Sequence, residues 1–363
     1  MNFVDRRREL RQLDEFLAHR RAGLLVLYGR RRVGKTTLVS RWLDQLAARQ
    51  QLAPQNVLFW TATAQSATSQ LRDFSQALVA LDTRLTVPPT PEFSFPTWEA
   101  ALGYLADLAN LRQPNAPLVV VIDELTYLVQ SDPALVSLLQ RVWDHRLAPL
   151  DNLRLILSGS LVGVMEQQVL SAQSPLYGRA TSLMRLLALR FGSLAELFPA
   201  WSPAERVAVY AVCGGIPSYL SLFEEAPSFT RGLRDHALKS GSLLLSDSAL
   251  LLNERLSDPY VYASVLASIA GGFHTWTQIA RMAGVPESNL GHYLQTLQAL
   301  GMVERRDPVL AEAGGRRGRY HVSDPFLRFH YRFLQPHRTA IERGDLARVT
   351  KTISEDLRAF IGT

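Results

Sequence analysis

The sequence predicts an α/β protein: a doubly wound, mostly parallel sheet comes first, and a largely helical second half follows it. Up to about residue 200, short apolar runs alternate with longer stretches of helical spacing, which is the pattern of strand–helix units. The run Leu118–Ile122 is apolar throughout, as strands buried on both faces of a parallel sheet usually are. From Pro203 to about Gly271 the spacing is helical.

The sheet-forming part is predicted to contain alternating strands and helices, each located by its apolar spacing. The predicted strands are Leu24–Tyr28, Val57–Thr61, Leu118–Ile122, Leu153–Leu157 and Leu186–Arg190. The predicted helices are Arg8–Leu17, Lys35–Ala48, Ser66–Asp82, Thr97–Leu111 and Pro133–Arg146.

The second half is predicted to contain a small domain of three helices and a hairpin. Its predicted elements are the helices Tyr260–Ala270, Thr277–Ala283 and Glu287–Leu300 and the strands Met302–Arg306 and Arg319–Val322. Further helices are predicted at Asp324–Leu334 and Gly344–Phe360. We therefore divide the chain into domains at 1–200, 201–259, 260–335 and 336–363.

Composition points to a soluble protein of the cytoplasm. The chain is 47% hydrophobic and 20% charged, and no apolar run approaches the about 18 residues that span a bilayer. The N-terminus runs into a helical pattern, so no signal peptide is expected. With Cys213 as its single cysteine, the chain has neither a disulfide framework nor a cysteine metal site.

The net charge of +6 invites a nucleic-acid interpretation, because cationic surfaces attract phosphate backbones. However, lysine occurs only at positions 35, 239 and 351, and every other cationic side chain is arginine. This bias makes arginine clusters weaker indicators of nucleic-acid binding and makes Lys35 more informative.

A phosphate-binding motif lies between the first strand and the second helix. Residues 29–36 match G-x-x-x-x-G-K-[ST], the P-loop pattern. Glycines let backbone N–H groups wrap the phosphates, and the helix N-terminus adds a positive dipole. We expect Lys35 to bind the β- and γ-phosphates of ATP and Thr36 to ligate Mg²⁺; the alternative is a chance Gly/Arg-rich turn. The predicted nucleotide contacts here are Gly29, Arg30, Arg31, Arg32, Val33, Gly34, Lys35, Thr36 and Thr37.

Two carboxylates end the strand Leu118–Ile122, at the sheet edge where ligands bind. Asp123 is expected to bind Mg²⁺, and Glu124 to act as the catalytic base that polarises the attacking water. The alternative is that the pair caps the following helix. The strand Val57–Thr61 intervenes in sequence, which is typical of the P-loop class whose acidic strand does not adjoin the P-loop strand.

Two further features are candidates for contacts to the γ-phosphate. Ser158 and Ser160 end the next strand and are sensor candidates, although small residues are also ordinary turn formers. Arg179 follows a loop and is the candidate catalytic arginine for transition-state charge, the alternative being a surface arginine.

Together these residues resemble the archaeal-type ATPase family, a STAND/Orc-like branch of P-loop NTPases. The segments that carry the resemblance are Phe3–Leu10, Leu155–Ser160 with Met165, Ser174–Arg179 and Cys213–Leu220. The family usually has glycine where this chain has Asp5.

The resemblance implies an ATPase domain, a helical lid and a winged helix, and it leaves homo-oligomerisation open. It adds Phe3, Val4, Arg7, Gly215 and Pro217 as nucleotide contacts; a plain helix-breaking turn is the alternative for the last two. Longer members carry a nuclease-like domain from about Ala359; none is expected in these residues.

The segment 277–297 reads as helix, turn, helix, and a hairpin that resembles a wing follows it. The exposed start of the second helix is where a recognition helix would meet double-stranded DNA. The hairpin arginines, including Arg305 and Arg306, are candidates for phosphate contacts. Winged helices also bind proteins, so that alternative stands beside DNA. The predicted DNA contacts are Ser288, Asn289, His292, Arg316, Arg317 and Arg319.

Two functional hypotheses follow from the sequence. The first is a cytoplasmic Mg²⁺-dependent ATPase, or ATP-gated switch, in which nucleotide state controls the winged helix. The second is a DNA-binding regulator or defence module in which the nucleotide is mainly structural.

Overall fold

The computed structural model describes residues 3–112, 116–172, 174–253, 256–308 and 318–362. They form two compact units, one comprising residues 6–187 and the other residues 3–5 together with 188–362. The first unit thus ends thirteen residues before the boundary predicted at residue 200, and the domain boundaries stay predictions.

The first unit is built on a five-stranded sheet in the order β2-β3-β4-β1-β5, and every neighbouring pair is parallel. The P-loop strand β1 is separated from the acidic strand β3 by β4, so the predicted class of sheet is confirmed. The strands are β1 (Gly23–Tyr28), β2 (Val57–Thr61), β3 (Leu118–Asp123), β4 (Leu153–Gly159) and β5 (Ser182–Arg185).

Helices cover the sheet and enclose its core. The inner strands β3 and β4 are buried along their whole length, because helices shield a parallel sheet on both faces. The helices of this unit are α1 (Arg7–Leu17), α2 (Lys35–Ala48), α3 (Ala67–Ala80), α4 (Trp98–Asn110), α5 (Leu125–Ser131), α6 (Leu135–Val142) and α7 (Val162–Val164).

One prediction in this unit is wrong. The last strand is Ser182–Arg185, not Leu186–Arg190. As an edge strand β5 buries only Met184, and its alternating pattern is weaker than the apolar run that follows it. The helix predicted over residues 133–146 is present as α6, which continues directly into the π-helical turn Trp143–Leu147. The short helix α5 before it was not predicted.

The second unit is largely helical, as predicted. From α9 to α13 its described residues contain no strand. Its helices up to α13 are α8 (Leu194–Leu197), α9 (Pro203–Cys213), α10 (Pro217–Leu220), α11 (Phe229–Gly232), α12 (Leu243–Asn253) and α13 (Pro259–Ala270).

The predicted helix-turn-helix and hairpin are both present in this unit. Gly284 ends α14 in the left-handed region (φ 67°), where glycine carries no steric cost, and α15 follows. The strands β6 and β7 are antiparallel, with Val303 opposite Val322 and Arg306 opposite Arg319. These elements are α14 (Trp276–Ala283), α15 (Glu287–Ala299), β6 (Val303–Arg306), β7 (Arg319–Val322), α16 (Pro325–Phe329), α17 (Arg338–Glu342) and α18 (Leu346–Ile361).

No helix in the described part of the chain combines the length and apolar composition that a bilayer-spanning segment requires.

Candidate functional site

The P-loop turns sharply between β1 and α2. Arg32 and Gly34 both have positive φ, 66° and 96°, and Gly34 is the N-cap of α2. At Gly29 an added Cβ would lie 2.3 Å from the carbonyl oxygen of Leu186, closer than any van der Waals contact, so only glycine fits. The loop therefore has the backbone that a phosphate cradle at a helix N-terminus needs.

Lys35 folds back over this loop. Its side chain is buried, and its Nζ donates a hydrogen bond to the carbonyl oxygen of Gly29 at 3.2 Å. Val33 is buried, the three loop arginines are half-buried, and Thr36 and Thr37 are exposed at the start of α2. The ammonium group is thus held against the loop where the phosphates are predicted to bind.

Thr36 and Asp123 meet although they are 87 residues apart. The Thr36 Oγ1 donates to Asp123 Oδ2 at 2.6 Å, and Asp123 is buried at the C-terminal end of β3. A hydroxyl and a carboxylate in contact are the hard oxygen donors that Mg²⁺ prefers, so these two side chains fit the predicted ion.

Glu124 lies beside this pair in the left-handed region, with φ 55°. It is the N-cap residue of α5, but its side chain makes no capping hydrogen bond. Instead its Oε2 accepts a hydrogen bond of 2.7 Å from the Ser160 hydroxyl, and its own backbone N–H donates to Asp123 Oδ1. The alternative that this carboxylate serves as a helix cap is therefore wrong.

The two sensor candidates differ in their environment. The Ser160 hydroxyl already donates a hydrogen bond to the Glu124 carboxylate. Ser158 lies on β4 opposite Leu27 of the P-loop strand, and its hydroxyl is buried without a hydrogen-bond partner in the described part of the chain. A buried hydroxyl without a partner costs free energy, so Ser158 has a donor available for a bound group.

Arg179, the predicted catalytic arginine, forms an ion pair with Asp144. Its Nε lies 2.8 Å from Oδ1 and its Nη2 lies 2.8 Å from Oδ2. Its hydrogen bonds are the main cause that lowers the pKa of the Asp144 carboxyl. The structure therefore gives this guanidinium a carboxylate partner within the first unit, and its catalytic role stays a prediction.

Arg6 is a P-loop contact that the sequence did not single out. Its Nη2 donates to the carbonyl oxygens of Val33, at 3.2 Å, and Leu187, at 2.8 Å, and its side chain is buried. The neighbouring Arg7, predicted as a nucleotide contact, begins α1 and is exposed. The resemblance of Phe3–Leu10 was the available signal, but three consecutive arginines hid which one faces the loop.

The remaining predicted nucleotide contacts lie in the second unit. Phe3 is half-buried and Val4 is buried. Gly215 has φ 73°, and an added Cβ would lie 2.2 Å from the carbonyl oxygen of Leu189. Pro217 begins α10, a position where its missing N–H costs nothing. Their contact with nucleotide stays a prediction.

The predicted DNA contacts lie on α15 and the hairpin. Ser288, Asn289 and His292 are exposed on α15, and Arg319 is exposed on β7. Arg316 and Arg317 lie outside the described residues. Arg305 forms an ion pair with Asp307 at 3.1 Å, and Arg306 forms one with Glu304 at 2.6 Å. These pairs partly neutralise the two guanidinium groups and so weaken their attraction for a phosphate.

Two parts of the chain match known protein families. Residues 3–223 match the family described as an ATPase domain predominantly from Archaea, and residues 264–307 match the IclR helix-turn-helix domain. An uncharacterised protein of Methanocaldococcus jannaschii is 31% identical over 342 residues, which are 94% of this chain and 71% of that protein.

Solved structures share the fold. The Walker-type ATPase of Pyrococcus abyssi aligns with a TM-score of 0.58 at 21% identity, covering 91% of this chain and 96% of the other. The ORC2 protein of Aeropyrum pernix, determined in ADPNP–ADP complexes, aligns with a TM-score of 0.59 at 17% identity, covering 100% and 97%. The chain thus carries a nucleotide-binding P-loop domain and a helix-turn-helix domain, and it belongs to the family of ATPase domains found predominantly in Archaea.

Proposed function

We propose that this chain is a Mg²⁺-dependent ATPase whose nucleotide state controls its winged-helix domain. One observation carries the proposal: the P-loop, the Thr36–Asp123 pair and the Glu124–Ser160 pair lie together at the C-terminal edge of one parallel sheet. Nucleotides bind at this edge of α/β sheets, and these groups are suited to hold the phosphates, ligate the metal ion and orient the attacking water.

Each side chain has a role that its contacts support. Lys35 and the loop N–H groups bind the β- and γ-phosphates, and Thr36 and Asp123 hold the metal ion. When bound, Mg²⁺ neutralises charge on the phosphate oxygens. Glu124 orients a water for attack on the γ-phosphorus and accepts its proton, while the bond from the γ-phosphorus to the β–γ bridging oxygen breaks.

The contact between Ser160 and Glu124 supports a positioning role for the serine. A catalytic base is commonly oriented by a third group, and the serine hydroxyl is the one side-chain donor that the structure gives this carboxylate among the described residues. We therefore treat Ser160 as the residue that positions Glu124, and Ser158 as the sensor with a hydroxyl available for the γ-phosphate.

The central test compares Lys35→Ala and Glu124→Gln with wild type. We expect Lys35→Ala to abolish ATP binding measured by calorimetry, because the ammonium is the main side-chain charge for the phosphates. Glu124→Gln should retain ATP binding and lose about 10²- to 10⁴-fold in phosphate release, the usual contribution of a general base. The exposed residues Lys239 and Glu196 supply matched controls, Lys239→Ala and Glu196→Gln. Normal hydrolysis by Glu124→Gln would contradict its assignment as the base.

A second candidate function is DNA binding by the winged helix, with the nucleotide mainly structural. The exposed polar start of α15, in a domain that matches an IclR helix-turn-helix, favours it. We would measure ATP turnover with and without duplex DNA, and molecular mass by light scattering with and without nucleotide. Stimulation by DNA supports the coupled ATPase. Slow, DNA-independent turnover with salt-sensitive DNA affinity supports the regulator instead. Nucleotide-driven assembly would indicate a homo-oligomeric switch.

A further inference from the structure

The second unit contains a cavity of about 180 Å³ with a cationic wall. It lies among the end of α13, strand β7, helix α16 with the turn after it, and the C-terminal part of α18. It involves no residue of the P-loop site. Its charged and aromatic lining residues are His274, His321, Arg328, Arg332, Asp356 and Phe360.

Arg328 differs from the other charged residues of this wall in its contacts. Its guanidinium carbon lies 4.4 Å from the centre of the Phe360 ring, yet the structure shows no hydrogen bond or ion pair between this side chain and any described residue. Its Nε is buried without a partner. Burial, and to a smaller extent the like charge of Arg306, lower the pKa of Arg328.

The other charges of the cavity do not compensate Arg328. Asp356 is the one carboxylate among the described lining residues, and it pairs with Arg332 at 3.4 Å. A partly buried charge without a counter-ion is unfavourable, so an anion that entered the cavity would remove a cost already present in the folded chain.

Two histidines also line the cavity. The rings of His274 and His321 stack with centroids 4.4 Å apart. Because the Tyr320 carbonyl oxygen can only accept, the His274 Nδ1 that lies 2.8 Å from it carries the hydrogen. Burial is the main cause that lowers the pKa of His321, and its neighbours His274 and Arg306 add to the effect. The two rings thus form a polar part of the cavity lining beside Arg328 and Arg332.

We propose that this cavity, the Arg328 pocket, binds a phosphate group between Arg328, Arg332 and the His274–His321 pair. A planar guanidinium binds phosphate oxygens in a bidentate manner. The cavity is several times the roughly 30 Å³ that one water occupies and smaller than the about 300–1,000 Å³ of sites that enclose whole small molecules. It therefore suits one phosphate group, either free or belonging to a larger molecule outside.

The phosphate group has two possible sources, a small phosphorylated molecule and the backbone of DNA. The pocket borders the hairpin through His321 of β7, and the exposed Arg319 lies two residues before it on the same strand. A phosphate of a DNA backbone bound at the hairpin could therefore reach the pocket. Both sources require the same guanidinium, and the experiment separates them.

The test uses full-length protein carrying Lys35→Ala, which removes phosphate binding at the P-loop. Inorganic phosphate is titrated at constant ionic strength against chloride, and the ring signals of labelled His274 and His321 are followed by NMR. We expect phosphate to shift both signals and Arg328→Gln to weaken binding by about tenfold or more, as loss of a charged hydrogen-bond donor does. Arg348→Gln, which removes an exposed arginine of α18 outside the pocket, should leave the affinity unchanged.

A conservative variant separates binding from packing. Arg328→Lys keeps the charge and most of the apolar stem but cannot bind bidentately, so its phosphate affinity should fall while its thermal unfolding stays close to wild type. Equal phosphate affinity in Arg328→Gln and Arg348→Gln would overturn the proposal, and so would phosphate that fails to shift the His321 signal.

A second measurement distinguishes the two sources of the phosphate group. The affinity for duplex DNA is measured by anisotropy, with each arginine substitution made in otherwise wild-type protein. If DNA supplies the phosphate, Arg328→Gln lowers DNA affinity, reduces its salt slope by about one ion, and phosphate competes with DNA. If a small molecule supplies the phosphate group, the Arg328→Gln and Arg348→Gln proteins should bind DNA equally well. Only Arg328→Gln should then show a lower affinity for inorganic phosphate. Either result is consistent with phosphate binding in the Arg328 pocket. The proposal does not depend on the proposed ATPase activity, because the phosphate titration uses protein in which Lys35→Ala has removed phosphate binding at the P-loop.

Discussion

The hydrogen bond from Ser160 to Glu124 allows a sharp test of how this site orients its base. The donor and acceptor oxygens are 2.7 Å apart, and Ser160 is only 7% exposed, so little water competes for the bond. The substitution Ser160→Ala removes this donor and leaves the carboxylate in place.

The size of the effect follows from the charge on the acceptor. A hydrogen bond to an ionised group contributes about 1.5–3 kcal/mol, and each 1.4 kcal/mol corresponds to about tenfold in rate. If the bond persists in the transition state, Ser160→Ala should lower kcat by roughly 10- to 100-fold. The KM for ATP should change little, because the partner that the structure gives Ser160 is Glu124 rather than the P-loop.

Steady-state phosphate release measures this effect, and a double-mutant cycle isolates it. In the Glu124→Gln background the same serine substitution should have a much smaller effect, since the charge it supports is gone. Ser354→Ala, at an exposed position on α18, is the matched control. Unchanged or faster turnover in Ser160→Ala would refute the positioning role, as would an equal effect in both backgrounds.

Three further predictions concern the same chain. Ser158→Ala removes a buried hydroxyl without a partner in the described part of the chain; thermal unfolding of the nucleotide-free protein should be unchanged or slightly raised, while the added stabilisation by Mg-ATP should shrink. Gly29→Ala places a Cβ 2.3 Å from a backbone oxygen and should abolish nucleotide binding in calorimetry, unlike Gly163→Ala, where the added atom meets open space. Burial lowers the pKa of His330 below its ordinary value of 6.5, so the unfolded chain takes up a proton first as pH falls. Unfolding free energy measured in urea should therefore decrease below about pH 6.5, and His330→Gln should flatten that slope; a slope as steep in the variant would contradict it.

Several features of the fold were predictable because they depend on neighbouring residues. The P-loop and its flanking elements are encoded within 26 consecutive residues, and the predicted bounds of α2 match the observed Lys35–Ala48. The central strands β1 and β3 are apolar along most of their length because both faces of the sheet are covered there. The edge strand β2 is only partly buried but begins with four apolar residues. The edge strand β5 buries only Met184 and has polar residues at both ends, so the apolar run after it was predicted as the strand instead.

The sequence by itself determined the nucleotide motif, the acidic end of β3 and the helix-turn-helix, since each is set by local spacing and backbone preference. Only the tertiary structure decided which distant groups meet: Thr36 with Asp123 across 87 residues, Ser160 with Glu124 across 36, and Arg6 with Leu187 across 181. It likewise showed Arg328 lining a cavity in which no described residue serves as its counter-ion. These pairings depend on strand order and on the direction of each side chain, and one-dimensional spacing specifies neither.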